Sequence, residues 1–201
     1  LRLQKEVESK RLYGKPLIGG PFSLIDTENK PSTHKNLLND QKKFFILYFG
    51  FTHCHVICPD ELDKLVAMLD ELKEKDGIEM QPVFITCDPA RDTPDVIKEY
   101  LSEFHPRIIG LTGEYENVKN ACKQYRVYFS TPPDVKAGQD YLVDHLIFFY
   151  VMNPEGNFVD VIGKEATAEE GAEKIRQHID AFVPAAELEK RKEGWMGFLY
   201  K

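Results

Sequence analysis

Cys54 and Cys58 stand four residues apart in the stretch Phe44 to Leu65, FFILYFGFTHCHVICPDELDKL, between a bulky apolar run and the start of a helical pattern. If the backbone there is near-helical, the two thiols lie one turn apart. A Cα separation of about 6 Å then permits a disulfide, and it equally permits joint ligation of one soft metal ion. A helix N-terminus favours thiolate through its unpaired amides and its dipole, so this is a place where cysteines are reactive. Two thiolates suit Cu(I), and a third, nitrogen ligand makes a site for both Cu(I) and Cu(II). Three histidines compete for that role. His53 and His55 flank Cys54, while His145 opens the apolar run LIFFYVM after a turn-rich segment. By pattern alone His145 reads either as a core histidine or as a ligand, with Asp144 beside it as a charge partner. Structural zinc has little support, because the chain offers no second CxxC or HxxxH group.

The elements that hold these residues follow from periodicity. Phe44–Phe49 is a short β-favouring run suited to a strand buried on both faces, and Gly50 ends it. From Pro59, Leu62, Leu65, Val66, Leu69 and Leu72 recur at helical intervals, and Gly77 supplies a C-cap. Pro82–Thr86 is the next buried strand, which predicts a β-α-β unit with parallel strands. Its far end carries Cys87, Asp88, Arg91 and Asp92, a loop expected beside the thiol pair because ligands gather at the carboxyl ends of strands in α/β sheets. Asp88 and Asp92 read either as loop-capping and salt-bridging groups or as groups that tune the thiols and guide a partner.

Further along, Thr93-Pro94 caps a helix bearing Val96, Ile97, Tyr100, Leu101 and Phe104, and residues 108–112 read as a short edge strand. Val118, Ala121, Cys122 and Tyr125 mark another helix and make Cys122 a core residue. Residues 127–130 and Leu142 to Met152 read as strands around the turn-rich segment 131–140. Asn153–Gly156 turns the chain into Phe158–Ile162, and Thr167–Glu170 matches a capping box for a last helix. Near the start, Phe22–Ile25 and the turn residues Asp26–Lys30 predict an N-terminal β-hairpin, with His34 just after it at the surface. The whole predicts a mixed α/β, thioredoxin-like domain over residues 14–184, with a hairpin or loop insertion before its last strands. Residues 1–13 read as a charged linker and 185–201 as a charged tail with a final aromatic cluster.

The chain has 201 residues, 42% of them apolar, which suffices for one domain with a substantial core. Its net charge of −7 and lack of a basic stripe argue against nucleic acid as a partner. The four cysteines, one close pair and two apart, do not read as a disulfide framework. No stretch reaches the roughly 18 apolar residues of a membrane helix. No GxSxG, P-loop or GxGxxG pattern supports a hydrolase or nucleotide-binding reading.

Taken together, Gly50–Cys54, Ile57–Leu62, Phe84–Pro94, residues 120–128 and Val143–Tyr150 resemble the SCO family, most closely its fungal mitochondrial members, over residues 14 to 184. That resemblance implies a thioredoxin-fold copper chaperone of the mitochondrial inner membrane. Its domain would face the intermembrane space behind an upstream membrane anchor. It implies one copper, as Cu(I) or Cu(II), held by Cys54, Cys58 and His145, with the acidic loop mapped to Asp88 and Asp92. The implied partners are cytochrome c oxidase subunit II, which receives the copper, and a small twin-CX9C copper carrier that supplies it. A homodimer is compatible with this reading. In one respect the chain departs from the family: CPDxCP is the usual motif, whereas His55-Val56 stands here between Cys54 and Ile57. The change frees an amide, removes a carboxylate, and makes His55 a candidate extra ligand. The competing expectation is a thiol-disulfide oxidoreductase, thiol peroxidase or redox sensor using the same pair as a redox disulfide. The spacing argues against it, since redox thioredoxins favour CxxC.

Overall fold

The computed structural model describes residues 18–39, 43–54, 57–130, 144–145 and 147–190, with backbone alone at 39, 129–130 and 144–145. The central strand is β3 (Phe45–Gly50), whose six residues are all buried. Burying such aromatic and aliphatic side chains contributes about 1.5–3 kcal/mol each, which explains why a run this apolar takes the middle of the sheet. β4 (Gln81–Thr86) lies parallel to it in the register Phe45↔Gln81 through Gly50↔Thr86. β8 (Phe148–Met152) lies antiparallel on its other side, with Tyr48 opposite Phe149.

Among the described residues the main sheet has seven strands in the order β2-β1-β5-β4-β3-β8-β9, where β1 is Ser23–Asp26, β2 Pro31–Thr33, β5 Ile109–Thr112 and β9 Phe158–Gly163. The predicted N-terminal hairpin is present as β1–β2. It corrects the expectation for 108–112: β5 is an interior strand, because β1 pairs with it antiparallel along the side that would otherwise be the sheet edge. A separate two-stranded ribbon joins β6 (Phe129–Ser130) to β7 (Asp144–His145). The expected strand from Leu142 to Met152 is therefore two strands, β7 in the ribbon and β8 in the main sheet. The turn-rich segment 131–140 falls outside the described residues.

Among the described residues, the helices beside the strands include α1 (His34–Asn39), α2 (Ile57–Asp76), α3 (Pro94–Ser102), α4 (Tyr115–Gln124) and α5 (Ala168–Asp180). α2 packs against α5, α3 against β5 and α4 against β1. Local signals end or start them as predicted. Gly77 takes φ +65°, a left-handed conformation suited to glycine, and its N–H donates to the Lys73 carbonyl at 3.0 Å. The Thr93 hydroxyl accepts from the Val96 N–H at the start of α3. At α5 the capping box is complete: Thr167 Oγ1 accepts from Glu170 N at 3.2 Å, and Thr167 N donates to Glu170 Oε2 at 3.0 Å. Thr167→Ala should lower the unfolding free energy by about 1 kcal/mol, read as an earlier urea midpoint with an unchanged slope.

One further expectation changes. His34 is half-buried rather than at the surface, its ring 6.1 Å from that of Phe22. The charged tail begins as helix over residues 185–190, with the Ala185 N–H donating to Glu155 Oε1 at 2.6 Å.

Candidate functional site

The Gly50↔Thr86 pairing brings two loops out side by side at the carboxyl ends of β3 and β4. One carries Thr52, His53 and Cys54 and the other Cys87 to Asp92. α2 begins at Ile57, earlier than the proline-based expectation, so Cys58 sits inside its first turn. Cys58 is fully buried and Cys54 is half-buried, and neither is held in a disulfide. The Cys58 N–H, one of the amides left unpaired at the helix start, donates to Cys54 Sγ at 3.3 Å. The Cys58 sulfur in turn accepts from the Tyr48 hydroxyl at 3.3 Å.

These contacts set the proton affinities. A side-chain hydrogen bond with Cys54, distinct from the backbone one, pushes the Cys58 thiol well above the ordinary cysteine range, and burial adds to the rise; the Tyr48 hydroxyl and the Phe51 amide oppose it. Burial, followed by the neighbouring Cys58, likewise raises the Tyr48 phenol, which therefore keeps its proton and remains a donor. In the absence of a cation, Cys58 is a thiol. A soft cation brought to both sulfurs supplies the charge that releases their protons, and the N–H and O–H donors already face sulfur.

The acidic loop points inward. Asp92 is 0% exposed and Asp88 1%. Asp92 Oδ2 accepts from the Thr52 N–H at 3.0 Å and from Thr86 Oγ1 at 2.6 Å, while Oδ1 accepts from Thr52 Oγ1 at 2.6 Å. Asp88 pairs with Arg91 Nε at 2.5 Å, and its N–H donates to Thr86 Oγ1 at 2.8 Å. Both carboxylates are engaged inside the chain, as expected of loop-capping and salt-bridging groups. Asp92 ties the loop after β3 to the loop after β4. Burial raises the Asp92 carboxyl despite the Thr52 and Thr86 donors.

His53 follows the same network. Its Nδ1 lies 3.1 Å from Thr52 Oγ1 and 3.7 Å from Asp92 Oδ1, so that nitrogen faces the loop rather than the thiols. His55 lies outside the described residues. Asp144 and His145 form β7, opposite Ser130 and Phe129 respectively. Because β8 runs antiparallel to β3, the chain just upstream of Phe148 enters at the carboxyl end of β3, the end that carries Cys54. Among the described residues, no group of three His, Cys, Asp or Glu side chains gathers into a metal-holding cluster.

Sequence reasoning passed over Tyr48, which it read only as part of a buried strand, and Thr52 and Thr86. Their signal was a hydroxyl-bearing residue at the end of a central strand or just past it, which stands out only once the loops are known to adjoin. It also treated Cys87 and Cys122 separately. In the fold both are buried, and a hydrogen bond with Cys122, then burial, raises the Cys87 thiol far above its usual range.

A thiol pair at the carboxyl end of the central strand of such a sheet, one half-exposed and one buried in the first turn of the next helix, defines a thioredoxin-like dithiol domain. Within that class, the SCO1/SenC family model matches residues 10–180, and the chain belongs to that family. The protein named "Protein SCO1, mitochondrial" of Saccharomyces cerevisiae is 60% identical over 201 residues, covering 100% of this chain and 67% of its own. The chain thus spans about two thirds of that relative's length. Yeast Sco1 with copper bound superposes with a TM-score of 0.80 at 60% identity, covering 90% of this chain and 98% of that one. Arabidopsis thaliana ScoI with copper bound gives 0.76 at 48% identity, covering 82% and 99%.

Proposed function

We propose that this domain is a copper metallochaperone. The observation that carries the reading is the sulfur pair itself: Cys54 and Cys58 are joined by an N–H to sulfur bond of 3.3 Å, with a phenolic donor on the inner sulfur. Two adjacent sulfurs, one reachable from solvent and one lined with donors, suit a soft monovalent cation that must enter and later leave. The copper-bound yeast and Arabidopsis relatives support copper as that cation. His145 is the third ligand in this reading, Asp144 supports it, and His55 is a further candidate ligand. One copper is held per domain, as Cu(I) or Cu(II).

Membership of the SCO family supports a place in cytochrome c oxidase assembly. In the finer reading, copper arrives from a small twin-CX9C carrier and passes to the binuclear site of subunit II. The matched yeast relative is named mitochondrial, and the proposed location is the inner membrane, with the domain facing the intermembrane space. Among the described residues no helix is long and apolar enough to cross a membrane. The domain proper is taken as residues 14–184, between a linker over 1–13 and a tail over 185–201.

A second reading is favoured by the asymmetry of the pair. The half-buried Cys54 suits attack on a partner disulfide, and the buried Cys58 suits resolution of the mixed disulfide. Anaerobic Cu(I) and then Cu(II) titration of the reduced protein separates the two. The metallochaperone reading expects one copper per wild-type chain, loss of binding in Cys54→Ser and Cys58→Ser, and loss of the Cu(II)–thiolate band in His145→Ala. Weak binding of both ions, together with cycling of the pair against a partner disulfide, overturns it in favour of thiol exchange.

A further inference from the structure

Tyr48 is an unusual residue to find in the middle of the sheet. Its side chain is fully buried on the central strand, among Phe84 and Phe149, with ring centroids 6.2 Å and 5.2 Å away. A buried tyrosine hydroxyl needs a partner, and this hydroxyl donates to the sulfur of Cys58, at 3.3 Å. Phenylalanine would fill the same space without that requirement. A second observation points the same way. Gly50, two residues on along β3, leaves room for this contact: a Cβ there would lie 2.8 Å from Tyr48 Cε1 and 3.2 Å from Cys58 Sγ. Ring, sulfur and bare backbone are thus fitted together at the strand end.

Building on the metallochaperone reading, we infer that Tyr48 is a positioning residue for the copper site: its hydroxyl holds the Cys58 sulfur and strengthens its hydrogen bond when that sulfur becomes a copper-bound thiolate. A hydroxyl bonds an anionic sulfur more strongly than a neutral one, so the contact favours the metal-bound state over the free dithiol. It also withdraws electron density from the sulfur, which sets the energy of the sulfur-to-copper transition. Cys54 has the backbone N–H of Cys58 in the corresponding role, so each sulfur carries its own donor.

The test is Tyr48→Phe in the whole chain, compared with wild type in three measurements. Cu(I) affinity, by competition with a chromophoric chelator, should fall about tenfold, in the range typical of losing a supporting hydrogen bond to a metal ligand. The Cu(II)–thiolate band should move to longer wavelength. In the copper-free protein, equilibrium with glutathione disulfide converts two thiols and one glutathione disulfide into the Cys54–Cys58 disulfide and two glutathione thiols. The variant should form that disulfide more readily, by a few-fold in the equilibrium constant, because the hydroxyl bonds the thiol better than the disulfide sulfur.

A Tyr48→Phe protein with wild-type affinity, band position and thiol–disulfide equilibrium overturns the inference. Should the wild type take up no copper, the metallochaperone reading fails, while the glutathione equilibrium still decides whether Tyr48 acts on Cys58. Should the variant not fold, the wild type alone gives the answer by NMR. The Tyr48 hydroxyl proton should move downfield on Cu(I) loading, and an unmoved proton overturns the inference.

Discussion

Replacing Gly50 with alanine is expected to weaken copper binding by roughly 10–100-fold, the range seen when support around a metal ligand is lost. The same change should cost about 1–3 kcal/mol of stability, as overpacking does. The added methyl would meet Tyr48 Cε1 at 2.8 Å, Phe84 Cε2 at 3.0 Å and Cys58 Sγ at 3.2 Å. None of the three can yield cheaply. Both rings belong to buried residues of the two central strands, and Cys58 is fixed by the first turn of α2. The sulfur, at the end of its side chain, is displaced first and loses the Tyr48 hydroxyl. Copper titration alongside urea unfolding checks this outcome. A Gly50→Ala protein that unfolds early but binds copper as wild type does would mean that the sulfur's seat is unimportant for binding.

The second large effect is expected at Asp92. Removing the carboxylate by Asp92→Ala leaves the Thr52 N–H and the Thr52 and Thr86 hydroxyls without their acceptor. Each orphaned donor costs about 1–3 kcal/mol if it stays buried. Relief from burying a carboxylate offsets part of that, so a net loss of about 2–4 kcal/mol is expected. The loop after β3 should then detach from the loop after β4, and alkylation of Cys54 should accelerate beyond what global unfolding explains. Unchanged alkylation would show that the loop holds its shape without Asp92.

Stability at this residue should also depend on pH with a definite sign. Burial raises the Asp92 carboxyl in the folded state, so the unfolded chain ionises first as pH rises. The stability of the wild type relative to Asp92→Asn should therefore be greatest below the ordinary aspartate value of about 3.9 and decline as pH climbs through the folded value. Urea midpoints of the two proteins across that range give the comparison.

What was legible in the sequence rested on neighbours along the chain. The apolar run at β3, the helical spacing after Pro59, the glycine stop at Gly77 and the Thr167–Glu170 box are set by residues a few positions apart, and each appears in the fold. The pair at Cys54 and Cys58 belongs with them, because four residues across the start of a helix bring two sulfurs together in almost any surrounding fold.

The remainder was decided by contacts distant in sequence. Thr52 meets Asp92 across forty residues, and Tyr48 meets Cys58 from a strand onto the following helix. β5 is interior only because a hairpin from the chain's beginning pairs with it. Whether a carboxylate is offered to a partner or enclosed, and whether a tyrosine merely fills space or holds a sulfur, depends on which groups face it across the sheet end. For Asp92 and Tyr48 those groups are fixed by the pairing of β3 with β4 and by the docking of α2, through long-range packing that no local pattern encodes. The chain's own order thus determined that two thiols stand together at a helix start, and the tertiary structure decided which groups surround them.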